Sequence, residues 1–453
     1  MNPSRLNSLE KKSIITLASV YGLRMFGLFM ILPVLAIYAE QLDGSTPALM
    51  GLALGIYGVT QAAFQIPFGL MSDKFGRKPI IYFGLTIFII GSLIAAIADT
   101  INGVIIGRAL QGAGAIAAVV LALTSDLTRE NQRAKAMAGI GMTIGLAFIL
   151  ALIAAPLLQS YIGVKGLFVL TALLAGLSLL LIWKVLPTPV QTHNLEVRAI
   201  PRKMLSLLKH PQLLRLDIGI FILHFVLTAM FVVVPIILLE QAELPSQEHW
   251  RVYVPALLGS VLFMLPMIIL SSRKKLLMRI FRAAICLILF AQCLLMWRPL
   301  GVAGMTICLF FFFWGFNLLE AMLPSLVSRV APAAGKGSAM GVYNTFQFMG
   351  VFLGGFLGGY IYGAAGVFAV FAVCGLLLVA WIWVVQTSPP LRLLDSLVVT
   401  LKAPVEGQLD EIQHDFEAVD GVEEVIIIAD EKTVYLKVDK ELLDQAALDA
   451  IST

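Results

Sequence analysis

The sequence predicts an all-α membrane protein of twelve transmembrane helices in two six-helix halves, with a small cytoplasmic α+β domain at its end. Three observations carry this expectation. Of 453 residues, 59% are hydrophobic and 13% charged, and the mean hydropathy is +0.92; soluble domains carry about 25% charge. Apolar stretches long enough to cross the ~30 Å hydrocarbon core as helix recur through the first 387 residues. Charge also divides the chain: residues 388–453 hold 15 of the 28 acidic and 5 of the 32 basic residues, a balance of −10, against +14 for the rest. A soluble enzyme, a secreted disulfide scaffold and a disordered chain are excluded. The four cysteines, Cys286, Cys293, Cys308 and Cys374, lie in apolar runs without a CxxC pair, so no metal site is expected.

The spans are read at roughly 13–38, 46–71, 79–98, 101–124, 135–160, 166–186, 213–239, 250–271, 280–297, 300–326, 338–362 and 366–386. Span 1 is too long for a signal-peptide core and is taken as retained. The N-terminus and the loops after even-numbered spans contain 22 basic residues; the opposite set has only Lys165, Arg251 and Arg298. The positive-inside rule then places both termini, and the acidic domain, in the cytoplasm. The longest connection, 187–212, contains Pro187, Pro189, Pro201, Arg198, Arg202 and Lys203 and separates a half at 1–186 from a half at 213–387. Within it, Arg202–Leu208 reads either as an amphipathic surface helix or as a plain basic linker. Six plus six spans around a central loop suggest two repeats about a midplane cavity.

The most specific motif follows span 2: Gly69, Asp73, Lys74, Gly76, Arg77 and Lys78 in the string GLMSDKFGRK. Gly69 would let another helix approach closely. Asp73 can accept from the bare N-terminus of a helix, where the macrodipole favours an anion. Gly76 permits a tight turn, and Arg77 can reach Asp73 or a second acid, for which Asp126 at the end of span 4 is the candidate. The helix N-terminus is assigned to span 11, opening with Gly337, Ser338 and Gly341. Lys78 is also explained as a positive-inside anchor. This motif resembles the signature G-x-x-x-D-R/K-x-G-R-R/K of the major facilitator superfamily, and the resemblance covers residues 1–387. It implies a cytoplasmic latch between the halves, closed in the outward-open state. The second half has only Ser271-Ser272-Arg273-Lys274-Lys275, without an acid.

Charge at bilayer depth costs at least ~2.5–3.5 kcal/mol, so such residues are candidates for function. In span 4, Arg108, Gln111, Gly112 and Gly114 resemble the second family signature, R-x-x-Q-G-x-G, which implies substrate or proton handling; Arg108 could equally donate to carbonyls of span 1. Arg24, midway along span 1, must point inward to satisfy its donors. Span 10 carries Asn317 and Glu320, and span 7 carries Asp217 and His224. Glu320, the one carboxylate well inside a span, is the leading proton carrier; the alternatives are a fixed partner for Arg24 or a span-end group near Arg329. His224 can titrate near neutrality or serve as a structural hydrogen-bonding residue. Asp217 is expected at the interface.

Span 5 has Gly141, Gly145, Ala151, Ala155 and Pro156, an incomplete version of the G-P-x-x-G-G signature of drug–proton antiporters. Span 11, with Gly350, Gly354, Gly355, Gly358, Gly359 and Gly363, and span 2, with Gly51 and Gly55, carry small-residue stripes suited to close packing. Phe310–Phe313, Trp314, Met322, Phe346 and Phe348 would line a cavity for amphipathic molecules, or equally face lipid or core.

The tail changes period. Leu397–Leu401 reads as a strand, 408–419 as a helix, Val425–Ile428 and Thr433–Val438 as a hairpin around Asp430–Lys432, and Glu441–Ile451 as a second helix. This order resembles a ferredoxin-like module of the heavy-metal-associated kind, with two departures: Lys402–Asp410 lacks paired cysteines, and no residues remain for a final strand. A regulatory or self-associating module is expected.

Together these readings point to a proton-coupled secondary transporter, an antiporter or exporter of small amphipathic molecules, in a bacterial inner membrane. The expected partners are lipid, substrate and protons, with no nucleic acid and no cofactor. No G-x-x-x-x-G-K-[ST] phosphate loop and no HExxH is present, which disfavours an ATP-driven pump or an intramembrane enzyme. The rivals are a sensor signalling through 388–453 and a facilitative uniporter.

Overall fold

The structure is a computed structural model describing residues 7–187, 207–271, 273–296, 301–332, 335–400, 409–428, 433–439 and 442–451. Most of the linker, Arg202–Lys203 included, Arg298, the loop 401–408 and the turn Asp430–Lys432 lie outside the described residues.

Among the described residues, ten helices are long and apolar enough to cross a membrane. Helix α1 (Ser8–Met30) continues after a turn as α2 (Leu35–Glu40); α3 is Pro47–Phe75 and α4 Arg77–Ile97; α5 (Ile101–Ala113) and α6 (Ala117–Asp126) follow. Then come α7 (Glu130–Val185), α8 (Pro211–Glu240), α9 (Trp250–Ser271), α10 (Lys274–Met296), α11 (Val302–Val330) and α12 (Lys336–Thr387). The two longest, α7 and α12, are each interrupted by one residue of non-helical backbone, Gly163 (φ 65°) and Gly366 (φ 76°). At ~1.5 Å per residue neither could fit one bilayer crossing as a straight rod.

Two apolar stretches expected to be continuous are broken. In span 1 the backbone tightens at 31–34, with Leu32 N–H bonding Phe29 O and Val34 N–H bonding Ile31 O, because Pro33 has no N–H to continue the ladder. In span 4 the break falls at Gly114 (φ −71°, ψ 50°), where a side chain would collide with the main-chain oxygen of Gly84. Glycine is required there by backbone contact.

The glycine stripes also meet backbone. A Cβ at Gly51 would run into Gly355 O, one at Gly55 would fall 2.5 Å from Phe352 O, and one at Gly359 would run into Pro47 O. Helices α3 and α12 therefore touch main chain to main chain, in the half of the bundle away from Asp73. The same region is joined by ring contacts of Phe148 on α7 with Phe313 and Phe316 on α11, at 6.2 and 6.0 Å. Phe312 and Phe313 are fully buried and pack in the core, whereas Phe310, Phe311 and Trp314 are half-buried.

The tail forms β1 (Asp395–Thr400), α13 (Leu409–Glu417), β2 (Val422–Ile428), β3 (Thr433–Val438) and α14 (Gln445–Ile451). The sheet is antiparallel with order β1-β3-β2, pairing Asp395 with Val438 and Ile428 with Thr433. Phe416, Val419, Val434, Leu436, Val438 and Leu448 form its core. Strand β2 begins earlier than alternation suggests, directly after Gly421 (φ 87°) turns the chain.

Candidate functional site

The cytoplasmic motif folds around one arginine. Gly76 adopts φ 92°, ending α3 and starting α4 with no helical residue between. That sharp turn brings Arg77 back over its own loop. Its Nη1 donates to Asp73 Oδ1 and to Ser72 Oγ (2.7 Å), and its Nε donates to Asp126 Oδ2 at 3.0 Å. Side-chain exposures of 16% for Arg77 and Asp73 and 8% for Asp126 shield these pairs from solvent. Lys78 Nζ donates to Leu186 O at the end of α7, and Lys74 lies 5.4 Å from the ring centre of Phe75. Gly337, Ser338 and Gly341 occupy the first turns of α12, as expected.

A second polar cluster lies inside 1–186. Arg24 (0% exposed) donates from Nη2 to Gln61 Oε1 at 3.1 Å and to Gly114 O at 3.0 Å, with the Phe88 ring centre 5.0 Å from Cζ. Tyr57 donates to the same Gln61 oxygen at 3.1 Å. Arg108 donates to Gln111 Oε1 (2.8 Å), Ala53 O and Leu54 O, with its Cζ 5.4 Å from the Tyr57 ring centre. Gln111 passes the chain on to Ser92 Oγ at 2.8 Å.

The third cluster joins three helices of the other half. Gln347 on α12 donates to Glu320 Oε1 on α11 (3.4 Å) and approaches His224 Nε2 on α8 at 2.9 Å. His224 Nδ1 faces Ile220 O at 3.3 Å, so the network fits an imidazole protonated at Nδ1 and accepting at Nε2. Glu320 Oε2 is buried without a hydrogen-bond partner, 3.8 Å from His224 Nε2. Asn317, one turn before Glu320, donates to Ser260 Oγ at 3.1 Å.

The family model for the Major Facilitator Superfamily matches residues 17–355. This chain belongs to the Major Facilitator Superfamily. It is 40% identical over 450 residues, 99% of each chain, to the inner membrane transport protein YajR of Escherichia coli (strain K12). A shorter match, 34% identical over 214 residues, covers 44% of this chain and 52% of the bicyclomycin resistance protein homolog of Haemophilus influenzae. A solved structure of a mutant of the nucleoside transporter NupG shares the fold at a TM-score of 0.67 and 15% identity, over 83% of this chain and 99% of that one.

As a facilitator-superfamily transporter, the molecule is a multi-pass membrane protein, and its geometry corrects several expectations. A Cβ at Gly69 would meet only Ala118 at 4.0 Å, so no helix approaches closely there. Arg108 reaches carbonyls of α3 rather than of span 1, because Tyr57 and Ala53 lie beside it. Arg24 bonds Gln61 and Gly114, not Glu320. Asp217, six residues into α8, is buried among its neighbours at 1% exposure. Three participants carry no sequence signal: Gln347, Gln61 and Glu10. Glu10 closes a capping box with Asn7 and takes Arg129 through N, Nε and Nη2 at 2.8–2.9 Å, tying α1 to the start of α7. The same side-chain hydrogen bond raises the pKa of Arg129, because the carboxylate favours the charged guanidinium.

Proposed function

We propose that this chain is a proton-coupled secondary transporter, an antiporter exporting small amphipathic molecules from the cytoplasm by alternating access. The observation that carries the reading is the Glu320–Gln347–His224 cluster. A buried carboxyl oxygen without a hydrogen-bond partner is a place where a proton can reside, here beside the His224 ring. Because the three side chains come from α8, α11 and α12, a change of charge at Glu320 acts on three helices at once. The likeness to a bicyclomycin resistance protein homolog supports export of drug-like compounds.

In this reading α7 and α12 each cross twice, giving twelve crossings, with domains at 1–186, 213–387 and 388–453 and 187–212 as the linker. Both termini face the cytoplasm of a bacterial inner membrane, no cofactor is needed, and the tail is a ferredoxin-like module lacking its last strand. The conformation is inward-facing, since the main-chain contacts at Gly51–Gly359 close the opposite side. The Asp73–Arg77–Asp126 cluster then acts as the latch of the outward-facing state, with Asp73 turning to the N-terminus of α12 at Gly337, Ser338 and Gly341.

The test is proton movement in proteoliposomes, followed with an internal pH dye and a panel of amphipathic cations, sugars and weak acids. Compound-dependent flux in wild type should fall at least ~10-fold in Glu320→Gln. Equal flux in both would sink the assignment of Glu320, and bound ligand without any proton movement would favour a uniporter.

A second reading, tail-dependent sensing, has one observation in its favour. Lys437 on β3, 1% exposed, donates to Ser328 O and Arg329 O at 3.0 and 3.2 Å, and Asp395 lies 3.4 Å from Arg329 Nε. The tail thus grips the last turn of the helix that carries Glu320.

A further inference from the structure

Arg24 is left unfinished by the protein around it. Its Nη2 is bonded, but Nε and Nη1 are buried with no hydrogen-bond partner, and the residue is 0% exposed. A guanidinium does not shed its proton in a protein, so the charge stays. Buried donors without acceptors each forfeit the hydrogen bonds they made in water.

A second unfinished feature adjoins it. Helix α5 stops at Gly114 and α6 restarts at Ala117, with no side-chain cap from Ile116. Ala115 and Ile116 are 0% exposed and Ala117 3%, so the opening amides of α6 and the positive end of its dipole are buried as well. The two meet, because Arg24 Nη2 is bonded to Gly114 O at the break itself. Among the described residues no carboxylate pairs with Arg24 or with Arg108, whose partners are amide and carbonyl oxygens and the Tyr57 ring. A guanidinium with spare donors thus stands beside the uncapped start of α6.

We propose that this place binds a compact monoanion, a halide, nitrate or single carboxylate group, held by Arg24 Nε and Nη1 and the first amides of α6. The proposal is independent of proton coupling. Arg24, Gln61, Phe88 and Gly114 all belong to 1–186, which favours a free inorganic anion over the head group of a larger molecule between the halves.

The experiment is thermal unfolding of the full chain in detergent, in bromide, nitrate, formate, octanoate or gluconate at constant ionic strength, for wild type, Arg24→Gln and Arg24→Lys. Wild type should gain Tm saturably with compact anions, relative to gluconate, and Arg24→Gln should be flat. Stabilisation by bromide and nitrate identifies a free inorganic ion; stabilisation by formate and octanoate alone identifies a carboxylate head group. In gluconate, Arg24→Gln should melt no lower than wild type, because it removes an uncompensated charge. An anion response that is absent in wild type, or identical in Arg24→Gln, overturns the proposal. Should neither variant fold, anomalous scattering from bromide-soaked wild-type crystals decides: a peak within ~3.5 Å of Arg24 Nε supports the site, and its absence overturns it.

Discussion

Midway along the helices of 1–186 the buried charges among the described residues are two guanidiniums, Arg24 and Arg108, surrounded by amide oxygens, carbonyls and aromatic faces. Within 213–387 they are Asp217, His224 and His249, with Glu320 half-buried beside His224, side chains whose charge changes with proton occupancy. The helices of 1–186 thus hold a permanent field at mid-span and those of 213–387 a variable one. In the proposed reading the first set binds charge and the second responds to protons, and low-dielectric surroundings leave each field little screened.

That contrast can be broken most decisively at Arg108. Arg108→Gln should reduce transport about 10-fold or more at every pH while leaving the shape of the pH profile intact, as expected for a fixed charge. A displaced profile would show that the first half also takes part in proton exchange. Next in size, Arg77→Gln removes the donor shared by Asp73 and Asp126. With pairs this shielded, a cost on the order of 1–2 kcal/mol is expected. Because these pairs are made in the inward-facing conformation, freeing Asp73 to reach the N-terminus of α12 should shift the ratio of cytoplasm-open to cytoplasm-closed molecules roughly 5–30-fold toward closed, read from spin-label distances between 1–186 and 213–387. An unchanged ratio would remove the latch role from this cluster.

The smallest effect concerns the tail. Burial first, and the Lys336 charge second, lower the docked Lys437 from 10.5 to about 8. Release of the tail therefore takes up a proton between those values, so docking strengthens as pH rises from about 8 toward 10.5 and is weakest below 8, where both states hold the proton. Protease protection of the segment near Pro389 should rise severalfold over this range and stay flat in Lys437→Met. A flat wild-type curve would show that the Lys437 contact does not govern docking.

The arginine cluster is legible in the sequence because one local string supplies most of it: turn glycine, arginine and acid lie close together, and Asp126 is the acid at a matching depth. The element order of the tail is legible from its change of period. Glu320 and His224 stand out as anomalies in apolar helices, but their meeting does not, since Gln347 joins them from a glycine-rich stretch 27 residues beyond Glu320. An uncharged amide in such a stretch gives no periodic or electrostatic signal. The Glu10–Arg129 tie is hidden for a related reason: both ends sit among other charges near helix ends, 119 residues apart. The breaks at 31–34 and 114–116 are masked by uninterrupted hydrophobicity, which measures affinity for lipid and not continuity of the backbone.

Gly163 and Gly366 stand at corresponding places in the two halves, each interrupting a long helix with nearly the same backbone, φ 65°, ψ 177° and φ 76°, ψ −175°. Around both, a methyl group would find nothing within 4 Å. An L-alanine would therefore fit the space and still cost ~1–3 kcal/mol, because that region of φ and ψ is closed to it. A D-alanine would hold this backbone without that strain, because the conformation is natural to its own hand. The chain turns at these two points through a question of chirality alone, answered identically in each repeat.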